Sequence, residues 1–252
     1  MSKEKIYNKT KITVVKDYKE MSQLAARLIL QKIYSKSIIK LNINLLVPTG
    51  STPEGVYKII SKQPKKIFKH VRFFNMDEYC QKDGKRLVNK NNPVSYKKYM
   101  KEHLFRNISS VQSHFPGVEN IKKPGSYDKQ IQKYGGIDFC VNALGIDGHT
   151  FGFNFPGSSF GSATRLVKIN EITRKINKKK SGYKTPEYAV TTGLKTGMKS
   201  KEVLFLVSGR EKADILHKIV YSSKPATKIP ATILKLHPRC RWIVDEDAAS
   251  KL

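Results

Sequence analysis

Leu41–Lys62 reads LNINLLVPTGSTPEGVYKIISK, an apolar β-rich run, a glycine-bearing turn and then apolar residues at helical spacing. Lys11–Lys16 (KITVVK) and Tyr18–Lys36 (YKEMSQLAARLILQKIYSK) precede it as strand and helix, and Val71–Asp77 (VRFFNMD) follows as another strand. Strands that alternate with helices form parallel sheets covered on both faces, so this βαβαβ order predicts an α/β fold with a mostly parallel, doubly wound sheet. Ile137–Leu144 (IDFCVNAL) reads as a central strand. Ala163–Ile169, Tyr188–Leu194, Val203–Gly209 and Cys240–Glu246 read as further strands that continue the sheet. Helical patterning marks Pro93–Phe105, Tyr127–Gly136, Glu211–Ser222 and Pro230–His237, and polar Gln81–Asn92 is expected as a loop above the site.

A chain of 252 residues buries a sizeable core, and an α/β unit of this length is commonly one domain, so residues 1–252 are read as one. The formal charge of +28 admits nucleic acid, an anionic membrane or small phosphorylated ligands as partners. Its distribution favours the last: lysines are scattered from Lys3 to Lys251, with only short clusters such as Lys178–Lys180 and no basic tract interleaved with aromatics. No nucleic-acid partner is expected. Cys80, Cys140 and Cys240 have no CxxC or Cys/His ligand spacing, which predicts reduced thiols and no metal. The opening MSKEKIYNKTK has no apolar signal core, and no run approaches the roughly 20 apolar residues of a membrane span, so a cytoplasmic protein with no membrane partner is expected.

Three segments carry candidate chemistry. In the turn Thr49-Gly50-Ser51-Thr52, Gly50 permits close backbone approach, Thr52 suits an N-cap and Pro53 the first helical position, an arrangement that can cradle a phosphate. FFNMDEYC ends an apolar strand in adjacent carboxylates, Asp77 and Glu78, either of which can serve as a proton-transfer base or merely cap a nearby helix. In CVNALGIDGHTFGFNFPGSS, Asp147 and His149 flank Gly148 just after a strand, so a carboxylate and an imidazole project from one tight turn. Lys212, at a helix start in VSGREKAD, is a phosphate ligand candidate with Arg210 its rival, and His237 before Pro238 reads as a helix terminator. Thr173–Thr185 (TRKINKKKSGYKT) is nearly all polar and reads as a mobile, solvent-facing segment.

Taken in order, PTGSTPEGVY, FFNMDEY, GGIDFCVNALGIDGH, FPGSS, YAVTTGLKTGM, LVSGREKA and ATILKLHP closely resemble the glucosamine-6-phosphate deaminase family and its galactosamine-6-phosphate isomerase relatives. The resemblance implies a single Rossmann-like three-layer domain that converts an amino-sugar phosphate to fructose 6-phosphate and ammonia without metal or organic cofactor. It implies Asp77 as the base moving the proton between C1 and C2, and His149 with Asp147 as the ring-opening pair. The Thr49–Thr52 turn and Lys212 then hold the phosphate, and residues 173–185 fall where the family carries a mobile lid, with Arg174 and Lys179 both candidates for its phosphate ligand. The family's usual run after the histidine ends Phe-Asn-Glu-Pro, where this chain has Phe153-Asn154-Phe155-Pro156 with one extra residue upstream. In the family that glutamate tunes the histidine. Phe155 in its place leaves two other expectations: hydrolysis of a lactone, as in the related 6-phosphogluconolactonases, or a phosphosugar sensor that binds without turnover. Assembly into a homo-oligomer is left open by the sequence.

Overall fold

Apolar runs become strands and amphipathic runs become the helices that cover them. The computed structural model describes residues 3–108 and 112–252. Its first half contains β1 (Lys3–Tyr7), β2 (Thr10–Val15), α1 (Tyr18–Ile38), β3 (Ile43–Val47), α2 (Glu54–Ile60), β4 (Val71–Asn75), β5 (Asp77–Tyr79) and α3 (Tyr96–Met100). Then come β6 (Gln112–His114), α4 (Glu119–Lys122), α5 (Ser126–Lys133), β7 (Phe139–Ala143), β8 (Arg165–Lys168) and α6 (Glu171–Ser181). The chain closes with β9 (Tyr188–Thr191), α7 (Leu194–Met198), β10 (Glu202–Val207), α8 (Ala213–Val220) and β11 (Cys240–Asp245).

The main sheet runs β1-β2-β11-β10-β7-β3-β4-β6, parallel throughout except for the antiparallel edge strand β1. All of β3 is buried, as expected of a strand covered on both faces. Leu45 packs on one face with Met21, Ala25, Ile29 and Ile33 of α1, whereas Leu46 packs on the other with Ile131 of α5 and Leu216 of α8. Asp17 starts α1 by accepting the Glu20 amide at 2.8 Å. Winding goes outward from β3 through β4 to β6, then outward the other way from β7 through β10 to β11. The switch point therefore lies between β3 and β7, where the carboxyl ends of the strands open a crevice.

Several expectations change. The run FFNMDEY is two strands: Met76 donates its amide to Val47 O (3.0 Å), accepts the Thr192 amide (2.8 Å), and so turns the chain out of the main sheet. Beyond it, β5 pairs with β9 and β9 with β8 in a separate antiparallel sheet of three strands, so 163–169 and 188–194 do not continue the main sheet. Gln81–Asn92 lies along this small sheet, with Gly84 against Leu166 and Tyr188, and supplies no residue to the crevice lining. The polar stretch 173–185, read as a mobile, solvent-facing segment, is mostly helix, because Asn170 caps α6 and Gly182 ends it in the left-handed conformation. Pro230–Leu236 forms a 3-10 turn in place of an α-helix, and β1, which sequence patterning does not mark, borders β2. No helix among the described residues is long and apolar enough to cross a membrane. Cys80, Cys140 and Cys240 are free.

The start of α7 is held against the loop before β8: Lys195 N donates to Ser162 O (3.1 Å) and Leu194 N to Ser162 Oγ (3.0 Å). A Cβ at Gly193 would run into the Ser162 and Ala163 main chain, which has no flexible end to yield. Gly193→Ala is expected to cost about 1–3 kcal/mol in urea unfolding, as overpacking does.

Candidate active site

A cavity of about 450 Å³ sits at the switch point. Its walls are the turn after β3, Asp77 at the start of β5, the turn after β7, one face of α6, and Lys212. The structure thus brings together all of Asp77, His149, Thr49, Gly50, Ser51, Thr52 and Lys212, with Asp147 directly behind His149.

The adjacent carboxylates separate by strand alternation. Asp77 is 4% exposed, faces the cavity, and has no hydrogen-bond partner for Oδ1 among the described residues. Burial, with the neighbouring Glu78 charge adding to it, pushes its carboxyl well above the usual range. Gly152, at φ +87°, lets the chain pass so close that a Cβ would stand 2.9 Å from Asp77 Oδ2 and nearer still to Thr191, the cross-strand partner of Asp77. Glu78 turns away and does what a strand-end cap does. It accepts from Ser95 Oγ and the Tyr96 and Lys97 amides, each at 2.9 Å, and from its neighbour Tyr79 at 2.8 Å. Burial raises the Glu78 carboxyl too, and those donors pull it part of the way back.

In the turn after β7, His149 Nδ1 meets Asp147 Oδ1 at 2.5 Å, and Asn170 Nδ2 donates to Asp147 Oδ2 at 2.6 Å. Burial opposes ionisation of Asp147, but its bonds to His149 and Asn170 prevail and hold the carboxyl at about 2. Phe155 places its ring edge-on to the imidazole at 5.1 Å and stacks on Phe153 at 5.8 Å, so the histidine is walled by aromatics, and among the described residues Asp147 is the one carboxylate paired with it.

At the opposite end, Lys212 Nζ donates to Thr52 Oγ1 at 3.0 Å. Thr52 therefore does not cap α2: Pro53 holds that position without a side-chain bond. Lys212 is 8% exposed, and burial, helped by the Lys180 charge and opposed by Glu211 and Asp245, brings it down to about 8. Lys180 reaches across from α6 to Ser51 Oγ at 2.8 Å. Of the two lid candidates, Arg174 is engaged with Glu187 at 3.4 Å, and Lys179 is not in the lining. Arg210 is exposed, while His237 is buried and binds Ser200 O at 2.9 Å as a structural residue. Sequence reasoning missed Lys180, Asn177, Asn170 and Tyr96. Thr173, Ile176, Asn177 and Lys180 follow i, i+3, i+4, i+7 spacing, a one-face signal hidden by the surrounding lysines.

A doubly wound sheet thus brings a carboxylate, an Asp–His pair and two lysines together at its switch point, the place where open α/β sheets bind their ligands. Residues 16–242 match the model of the glucosamine-6-phosphate isomerases/6-phosphogluconolactonase family, and the chain belongs to it. Glucosamine-6-phosphate deaminase of Clostridium acetobutylicum is 39% identical over 254 residues, spanning 96% of this chain and all of the relative. The Clostridium novyi deaminase is 36% identical over 253 residues with the same coverage. A solved monomeric glucosamine-6-phosphate deaminase matches with a TM-score of 0.85 at 30% identity, over 96% of this chain and 100% of its own. The 6-phosphogluconolactonase of Trypanosoma cruzi, at 20% identity and a TM-score of 0.75, shares the fold.

The two neighbouring acids are expected to affect stability in opposite directions. Because the folded-state pKa of Asp77 is raised, the folded chain holds a proton where the unfolded one has lost it, and stability falls as pH climbs from the usual carboxylate range through the raised value. Asp77→Asn has no such loss and should be more stable than the parent at neutral pH. Glu78→Gln keeps the shape but sets its amide against donors, and should lose about 1–3 kcal/mol. Denaturant midpoints of both variants at pH 5 and pH 8 check the pair.

Proposed function

We propose that the chain converts glucosamine 6-phosphate to fructose 6-phosphate and ammonia. The observation that carries this is a buried, partner-poor Asp77 carboxyl in the same cavity as an Asp–His pair and two lysines. Lys212 and Lys180, with the Ser51 and Thr52 hydroxyls, supply positive charge and donors for a phosphate at one end. At the other, His149 moves the ring-oxygen proton to open the sugar, its ring fixed by Asp147. Asp77 then takes the C2 proton of the open-chain amino aldehyde while O1 gains a proton, giving the enolamine, and a proton returned to C1 leaves a ketose-level imine at C2. Water adds at C2, the C–N bond breaks, and ammonia leaves. A raised carboxyl suits this work, since a base must hold the proton it removes long enough to return it.

Phe155 is compatible with the reading because the geometry of His149 rests on Asp147 and Asn170. The names of the relatives favour the gluco epimer over galactosamine 6-phosphate. The purified protein with glucosamine 6-phosphate should release ammonia and ketose phosphate in equal amounts, and less with the galacto sugar. Absence of both products with either sugar overturns the reading, and opening of 6-phosphogluconolactone instead would assign the chain to the other branch of its family. Asp77→Asn should lower kcat by roughly a hundredfold or more, the usual contribution of positioned acid–base catalysis. Lys180→Ala, which removes one charged donor from the phosphate end, should raise KM about tenfold with kcat little changed.

A further inference from the structure

Asn170 makes two bonds that face in different directions. Its Oδ1 accepts the Thr173 amide at 2.8 Å and so caps α6, while its Nδ2 donates to Asp147 Oδ2 at 2.6 Å. The other oxygen of that carboxylate is the one that meets His149. Farther along, the same helix donates from Asn177 to the Tyr79 hydroxyl at 2.9 Å and from Lys180 to Ser51 at 2.8 Å. A continuous line of hydrogen bonds and one rigid helix thus runs from the phosphate turn to the imidazole.

Among the described residues, no other side chain binds both Asp147 and the first turn of α6. Among the described residues, Asp147 receives side-chain hydrogen bonds only from His149 and Asn170. Phe153 and Phe155 hem the imidazole at ring distances of 6.4 Å and 5.1 Å, yet offer it neither donor nor acceptor. The aromatic rings limit sideways motion. The His149 amide and imidazole both bind Asp147 Oδ1, at 3.2 Å and 2.5 Å, and Asn170 is the one side chain among the described residues that holds the other oxygen, Oδ2, and so opposes rotation of the carboxylate about its own axis. Rotation there would turn Oδ1 away from Nδ1.

We propose that Asn170 is a positioning residue that couples the seating of α6 against the phosphate turn to the aim of His149 at the ring oxygen. This rests on the deaminase reading above. When Lys180 and Asn177 hold α6 in place, its first turn holds Asn170, and Asn170 holds the carboxylate that orients the imidazole. Substrate phosphate at one end of the cavity and proton transfer at the other are thereby made to depend on one helix position.

A residue that only capped α6 would give a different result, and two variants separate the cases. Asn170→Ser and Asn170→Asp both keep an effective N-cap. Serine is too short to bridge to Asp147, and aspartate turns a donor towards Asp147 into a second carboxylate. For glucosamine 6-phosphate, kcat should fall about tenfold in N170S and further in N170D, with KM nearly unchanged, as loss of a hydrogen bond to a charged group implies. In the ligand-free protein, the downfield NMR resonance of the proton shared by His149 Nδ1 and Asp147 Oδ1 should move or be lost to exchange in N170S, because the carboxylate is then no longer held at Oδ2. Parental kcat and an unchanged His149–Asp147 proton resonance in both variants overturn the proposal, as does a rise in KM alone. If the parent turns over neither amino-sugar phosphate, the deaminase reading falls by itself. The ligand-free proton resonance of the His149–Asp147 bond then decides the positioning role, changed for it and unchanged against it.

Discussion

A carboxyl group buried without a full set of partners is expensive to keep, and Asp77 is one. Much of the local architecture is what holds it there. Met76 ties the chain to both Val47 and Thr192, so the strand that enters the main sheet as β4 leaves it as β5. Register with β9 sets Asp77 opposite Thr191, Gly152 allows the turn after β7 to close over both, and Glu78 caps the start of α3. The small antiparallel sheet is the frame of this one residue.

Charge is distributed along the cavity with the same economy. The surface is strongly basic throughout, yet the two lysines that matter are distinguished by position: Lys212 by burial against Thr52, Lys180 by its place on the inward face of α6. A phosphate dianion at that end would offset the desolvation that brings Lys212 down to about 8. At the far end a paired, ionised Asp147 and a raised Asp77 stand in one cavity with their pKa values pushed apart, which assigns them different work. Phe155 stands where the resemblance leads one to expect a glutamate, and Asn170 is the polar contact that the pair retains.

The chain itself determined the doubly wound sheet, since continuous apolar runs such as Ile43–Val47 alternating with amphipathic helices admit few other packings. It also determined where Asp77, His149 and the Thr49–Thr52 turn lie, at strand ends followed by turn residues, because those are local signals. Packing in three dimensions settled which of two adjacent acids faces the cavity, that 163–169 and 188–194 belong to a second sheet, and that Lys180 is the α6 lysine that reaches Ser51. It also joined α6 to the turn after β7 through Asn170 and Asp147, 23 residues apart in the chain. These depend on strand register and on contacts distant in sequence. A one-residue shift of β5 would exchange Asp77 for Glu78, and nothing in the composition of the segment records that choice.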